Sequence, residues 1–235
     1  MQLSKIGSKI CRPIASKIDG SGASGGGGGG TVEYYIIDDN DDGYFKETVY
    51  YSNIRPTTYS LVSASTGTDT YKWGLDVNSS GTQNRWYKSY LRFQNVAVPQ
   101  GATINTATLT VNVVAGSSSP NNDTVDYDIW GLAADNHAAP SSASDGNDSN
   151  HTSAEVSQGF SITGDGSTEV FTSSDISTII SEITSRAGWS SGNALVIVSQ
   201  FYTNFSSDEY RNVRQYNYFE DNPSAQKTKL TINYS

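Results

Sequence analysis

The residues best suited to chemistry stand in one acidic string, Asp38-Asp39-Asn40-Asp41-Asp42-Gly43. Four carboxylates within five residues repel one another unless water solvates them or a cation neutralises them. The string follows D-x-N-x-D-G, the opening of an EF-type calcium loop, where alternate side chains give oxygen ligands and the glycine allows a sharp turn. Position 12 of such a loop would be Val49 rather than a bidentate glutamate, so the full motif fails. What remains is a structural Ca2+ site using Asp38, Asn40 and Asp42 with ligands from elsewhere. A solvated acidic turn and a patch for a basic neighbour are the competing readings. Asp123, Asp126 and Asp128 form a sparser second group, and strand alternation sets Asp126 and Asp128 on one face.

Aromatic side chains are the second resource. Tyr71, Trp73 and Trp86 lead a surplus of Tyr and Trp in the first half of the chain. Coplanar, exposed rings beside Asp and Asn would stack on sugar rings. The same residues are also good strand formers that half-bury a ring and keep its polar tip hydrogen-bonded. Catalytic groupings are thinner still. His137 and His151 have no zinc-ligand spacing, and Cys11 is the only cysteine. Paired acids suit a glycosidase only at a defined separation, which spacing in sequence does not give. The expectation is a protein without enzymatic activity.

The elements that would position these residues are mostly strands. Tyr34–Ile37, Thr48–Tyr51, Ser60–Ser63, Trp86–Gln94, Thr106–Val114, Val125–Leu132, Ala194–Phe201 and Lys229–Tyr234 are rich in β-branched and aromatic residues. In Trp86–Gln94 the alternation assigns Tyr87, Ser89, Leu91 and Phe93 to the core and Trp86, Lys88, Tyr90, Arg92 and Gln94 to the other face. In Thr106–Val114 it turns Ala107, Leu109, Val111 and Val113 inward. One helix is expected, capped by Ser174, with Asp175 near its positive end. Its apolar face is Ile176, Ile179, Ile180, Ile183 and Ala187, Gly188 is its left-handed C-cap, and Trp189 tucks beneath it. Pro99 and Gly101 mark a tight turn, with positive φ at the glycine. Ser65–Asn84 and Asp135–Gln158 read as loops, the first with Tyr71–Leu75 able to pair within it, the second as a surface excursion or an inter-subunit contact.

Charge divides the chain. Residues 1–30 hold four Lys/Arg and one acid, a net +3, whereas the remaining 11 Lys/Arg face 23 acids, a net −12. An acidic body excludes nucleic acid as its partner, since phosphate binding needs clustered cations. A single cysteine excludes an intrachain disulfide. The opening segment lacks the apolar core of a secretory signal, and no apolar run is long enough to span a membrane. Within it, Ser-Lys-Ile occurs three times, and Ile6, Ile10, Ile14 and Ile18 recur every fourth residue beside Lys5, Lys9 and Lys17. Pro13 interrupts a helix there. The segment is either a disordered basic tail or a docking peptide that orders on a partner. The division is therefore an anchoring arm over 1–24, a glycine linker over 25–30 and one all-β domain over 31–235, large enough to hold its own core.

A family resemblance is carried by YLRFQNVAVPQGATINTATLTVNV (Tyr90–Val113), by Asp128-Ile-Trp-Gly-Leu-Ala-Ala-Asp135, by GWSSGNALVIV (Gly188–Val198) and by NPSAQKTKLTINY (Asn222–Tyr234). Over residues 31–235 the chain resembles the jelly-roll modules of bacteriophage structural proteins. These are similar to the DNRLRE-type, carbohydrate-binding-module-like sandwiches of bacterial surface proteins. At Asn84–Phe93 the chain reads NRWYKSYLRF in place of the string that gives that type its name. The resemblance implies an antiparallel jelly-roll β-sandwich with one short α-helix and an extended arm. It implies a virion structural protein, a capsid decoration or a tail-fibre component. The partners would be other virion proteins gripped by the arm, further copies of the chain, and a host-surface glycan; release would be by lysis. Sandwiches of this kind often hold structural Ca2+. A glycan-binding adhesin and a subunit of an extracellular filament are the alternative functions.

Overall fold

A computed structural model describes residues 29–37, 41–50, 60–62, 74–77, 83–115, 123–162, 168–201, 215–216 and 228–235. The strands are β1 (Gly30–Tyr35), β2 (Asp42–Tyr50), β3 (Ser60–Val62), β4 (Gly74–Val77), β5 (Gln83–Val96), β6 (Ile104–Ala115), β7 (Asp123–Gly131), β8 (Val156–Ile162), β9 (Thr168–Thr172), β10 (Asn193–Phe201), β11 (Gln215–Tyr216) and β12 (Lys229–Tyr234). One α-helix, α1 (Ser177–Thr184), follows β9, and two 3-10 turns (Ala143–Gly146 and Asp148–Asn150) precede β8. The arm residues Lys5, Ile6, Lys9, Ile10, Ile14, Lys17 and Ile18 lie outside the described residues, as do Asp38, Asn40, Tyr71 and Trp73.

The strands form two antiparallel sheets, so the chain is an all-β sandwich with one helix. In the smaller sheet β6 is central. Thr110 pairs with both Lys229 and Thr172, and Val114 with both Tyr216 and Thr168. Hence β12 and β11 share one edge of β6 and β9 takes the other; β1 lies outside β12. The larger sheet runs β3-β2-β5-β10-β7-β8, with β4 continuing the β10 edge of β5. The expected alternation in β6 holds: Ala107, Leu109 and Val111 are buried and face the other sheet, together with Leu230 and Ile232. Phe171 of β9 crosses the interior to meet Phe160 edge-on at 4.9 Å and Tyr127 at 6.3 Å, tying the small sheet to β8 and β7.

The alternation in β5 is overturned. Trp86 through Leu91 are all buried, and Phe93 is as well. β10 is buried from Ala194 to Gln200. Tyr87, Ser89 and Leu91 face the sandwich interior as expected. The opposite face, where Lys88 and Tyr90 pair with Gln200 and Val198, is closed by the chain between residues 133 and 155. This segment is neither structureless nor a surface excursion. It is a strap laid across the outer face of the large sheet. Gly146 sits so close to the Phe45 ring that a Cβ there would lie 2.5 Å from Phe45 Cγ.

The helix lies on the interior side and is shorter than expected. Ile176, Ile179, Ile180 and Ile183 are fully buried, each stabilising the fold by about 1.5–3 kcal/mol. Ser174 does not cap it, because Gln158 takes both its N–H and its hydroxyl. The N-cap is Ile176, which has no capping side chain, and the Asp175 carboxylate before it accepts from Ser177 N–H at 3.0 Å and from Ala107 N–H at 2.9 Å. Burial alone would raise the Asp175 carboxyl, but these donors and the Ser177 hydroxyl outweigh it and hold the pKa low. Gly188 is not the left-handed C-cap; the helix ends at Ser185. A Cβ at Gly188 would meet Asp135 Oδ2 at 2.1 Å and require that carboxylate to shift. The turn at Pro99 forms as expected, with Gly101 at φ +69 and its N–H donating to Thr184 C=O at 3.1 Å. Trp189 is buried, its Nε1 donating to Val98 C=O at 2.9 Å.

Gly131 faces the helix, and a Cβ there would lie 2.5 Å from Ile183 Cδ1 and 3.1 Å from Ile179 Cγ2. Gly131→Ala is therefore expected to cost about 1–3 kcal/mol by overpacking, read as a fall in the urea midpoint at unchanged m-value.

Candidate functional site

The strap and the sheet face beneath it enclose the densest group of reactive side chains among the described residues. Lys88, at the middle of β5, has no solvent exposure. Its Nζ donates to Asp148 Oδ1 at 2.6 Å and to Gly146 C=O at 2.9 Å, and lies 3.2 Å from His151 Nε2. His151 stacks on Trp130 at 4.8 Å between ring centroids, and the Lys88 ammonium stands 5.9 Å from the same indole. Nζ brings only donors, so His151 Nε2 accepts and the imidazole proton resides on Nδ1. That nitrogen is 4.0 Å from Asp148 Oδ1. One imidazole thus touches both the amine and the carboxylate.

Local hydrogen bonds hold the strap in place. Asp145 Oδ2 accepts from the N–H groups of Ser141 and Ser142 at 2.9 and 3.0 Å, which fixes the first 3-10 turn. Glu182 of α1 accepts from the N–H groups of Ser153 and Ala154 at 2.7 and 2.8 Å. Trp130 Nε1 donates to Glu155 at 2.9 Å, and Thr152 exchanges backbone and hydroxyl bonds with Gly131. At its other end, Asn136 Oδ1 accepts from Ala194 N–H and Asp135 C=O from Asn193 Nδ2. Neither His137 nor Asp145 reaches Lys88; His137 instead offers its C=O to Arg92 Nε at 2.7 Å.

The acidic string divides. Asp41 is buried, its carboxylate receiving Arg92 at 2.6 Å and Gln94 at 2.7 Å, while its C=O accepts from Arg92 N–H. Asp42 is the first residue of β2, opposite Leu91, and is 5 % exposed. Burial first, and then the charges of Asp42 and Asp41, push the Tyr90 phenol up to about 12. Among the described residues no three His, Cys, Asp or Glu side chains converge as metal ligands do. Asp128 accepts from Ser157 Oγ across the β7–β8 ladder, while Asp126 is exposed, although alternation gives both one strand face.

Trp86 is corrected as a sugar-stacking residue: at 1 % exposure its ring offers no open face. It belongs to the covered outer layer of the large sheet with Phe45, Tyr90 and Trp130. The residues that sequence reasoning missed are Lys88, Asp148, Asp41 and Arg92. A lysine between the aromatic residues Trp86, Tyr87 and Tyr90 is the one trace of them in the sequence. Their partners depend on strand register and on the path of the strap, which spacing does not carry. No family model matches the chain, and no curated protein is significantly similar to it.

Two outcomes follow from this packing. Trp86→Ala is expected to cost about 3–5 kcal/mol in chemical denaturation, against under about 0.5 kcal/mol for an exposed stacking ring. Acid is expected to loosen the strap. Burial raises the Asp145 carboxyl, but the Ser141 and Ser142 amides, the Ser142 hydroxyl and the His137 charge outweigh it, leaving the pKa lowered. A lowered folded-state pKa adds stability at pH above the unfolded value, and that stability is lost as pH falls through the folded value. Amide-exchange protection over residues 141–150 is therefore expected to drop below about pH 4, and Asp145→Ala to show the drop already at neutral pH.

Proposed function

We propose that the chain is a virion structural protein, a β-sandwich displayed on a phage capsid or tail and gripped there by residues 1–24. The observation that carries this reading is the way the chain enters the body. β1 begins at Gly30, at the end of the glycine run, and pairs Gly30 with Tyr234 along β12. Among the described residues β1 has no strand on its other side. In sequence, the basic, isoleucine-rich segment leads through glycines, residues with almost no conformational preference, into the strand at that sheet edge. A display head needs that arrangement: a rigid body, a loose joint and a separate adhesive segment of opposite charge. Four buried isoleucines, at about 1.5–3 kcal/mol each, offset much of the cost of ordering the segment on a partner. Repetition in an oligomer adds avidity.

The edge position of β1 also favours a second arrangement, a filament in which one subunit's segment pairs with the next subunit's sheet. Deletion of residues 1–24 tests both. The truncated protein is expected to unfold at the same temperature as the full chain and to be missing from assembled particles. Incorporation at full occupancy would overturn the anchoring role, and loss of polymers with particles unaffected would favour the filament.

A further inference from the structure

The strap site holds an amine and a carboxyl group in a geometry that goes beyond an ion pair. Lys88 Nζ is fully enclosed and 2.6 Å from Asp148 Oδ1, on a partner 60 residues away in sequence. The amine is enclosed on a sheet face that also carries Trp130 and Phe45. The two side chains come from elements that are each immobilised, a central strand and a turn pinned by Asp145 and Glu182. The amine is held at hydrogen-bond distance from an oxygen of the carboxyl it would attack, and fixed orientation of that kind is what lets a condensation become unimolecular.

We propose that Lys88 and Asp148 are a self-modifying pair that joins β5 to the strap through an intramolecular isopeptide bond. The proton of the ion pair passes from Nζ to the carboxylate, leaving amine and carboxylic acid. The Nζ lone pair attacks Asp148 Cγ, and a C–N bond forms. His151 Nε2, at 3.2 Å, takes the proton released by the nitrogen. Its Nδ1–H, 4.0 Å from Oδ1 in the resting pair, supplies the proton with which that oxygen departs as water once the attack has drawn the carboxyl toward the imidazole. The C–O bond breaks, the imidazole ends neutral in the other tautomer, and the products are a secondary amide and one water. No oxidant, metal or cofactor enters the balance. The Asp148 side chain keeps a quarter of its surface exposed, an exit for that water. A chain whose single cysteine rules out an intrachain disulfide gains a covalent closure by this route. The inference stands on the strap alone and does not depend on the virion reading.

Intact-mass measurement of the full-length folded protein is the test, with Lys88→Arg and Asp148→Ala as references. The wild type is expected to be lighter than its sequence mass by one water, and both variants to have their full masses. Trypsin is expected to leave the bond after Lys88 uncut and to release one branched peptide joining the Lys88 and Asp148 segments. A wild-type protein at full mass, giving separate linear peptides, overturns the proposal. So does loss of one ammonia, which would place the bond on Asn147 or Asn150, or loss of water mapped to a cyclised Asp145-Gly146 step. Should the variants fail to fold, the wild-type peptide alone decides. His151→Phe keeps a ring on Trp130. It is expected to leave a large uncross-linked fraction, and an unchanged fraction would overturn the role given to His151.

Discussion

Lys88 sets the terms for the larger sheet. An amine at the centre of a sheet, with no solvent exposure, is stable only where acceptors surround it. Three of its polar neighbours belong to the strap: the side chains of Asp148 and His151 and the backbone C=O of Gly146. Lifting the strap would strip the amine of all three and uncover Phe45 and Trp130 together. Removing one side of a buried pair is far more costly than forming it is favourable. The strap is therefore held down by the penalty for leaving, and the apolar outer layer of the sheet is covered as a consequence.

The same logic separates the other ion pairs into those that organise the fold and those that decorate it. Arg92 and Asp41 meet with Asp41 almost fully buried, and Gln94 fills the second carboxylate oxygen. This pair fixes where the acidic string enters β2, and it occupies Asp41 within the fold. Arg186–Asp135 and Lys229–Glu33 are each a third or more exposed on at least one partner. Pairs of that kind contribute little, up to about 1 kcal/mol. The close approach of Gly188 to Asp135 still matters, because it places the carboxylate under the guanidinium.

How much of this was legible in the sequence varies by element. β6 could be read because its inward residues are aliphatic and its outward ones are Thr and Asn, the signature of a sheet with one wet face. The isoleucines of α1 and the Pro99–Gly101 turn were legible for similarly local reasons. β5 could not be read the same way. Its alternation of Tyr, Ser, Leu and Phe with Trp, Lys, Tyr and Arg looks like one dry and one wet face, yet a segment 45–60 residues downstream dries the second face as well. Gly188 was assigned to the helix end from its position, whereas its close contact is with a residue 53 positions earlier. Ser174 does not cap the helix because Gln158, from the other sheet, claims it. Each misreading involves a partner distant in sequence, and each correct reading involves neighbours within a turn or a strand.

The edges complete the argument. Where β9 ends, the N–H of Leu109 turns to the Ser173 hydroxyl and that of Ala107 to the Asp175 carboxylate, so side chains continue the hydrogen bonding of the β6 edge up to the helix. Gln158 bonds to both Thr172 C=O and Ser174, bridging β8 to the end of β9. These devices blunt a sheet edge that would otherwise be a template for another chain. At the opposite end of the small sheet β1 bears Thr31, Val32 and Glu33 on a single ladder to β12, with Glu33 engaged by Lys229 and Tyr35. An edge closed by side chains on one side of a sheet and a plain strand on the other is an asymmetry.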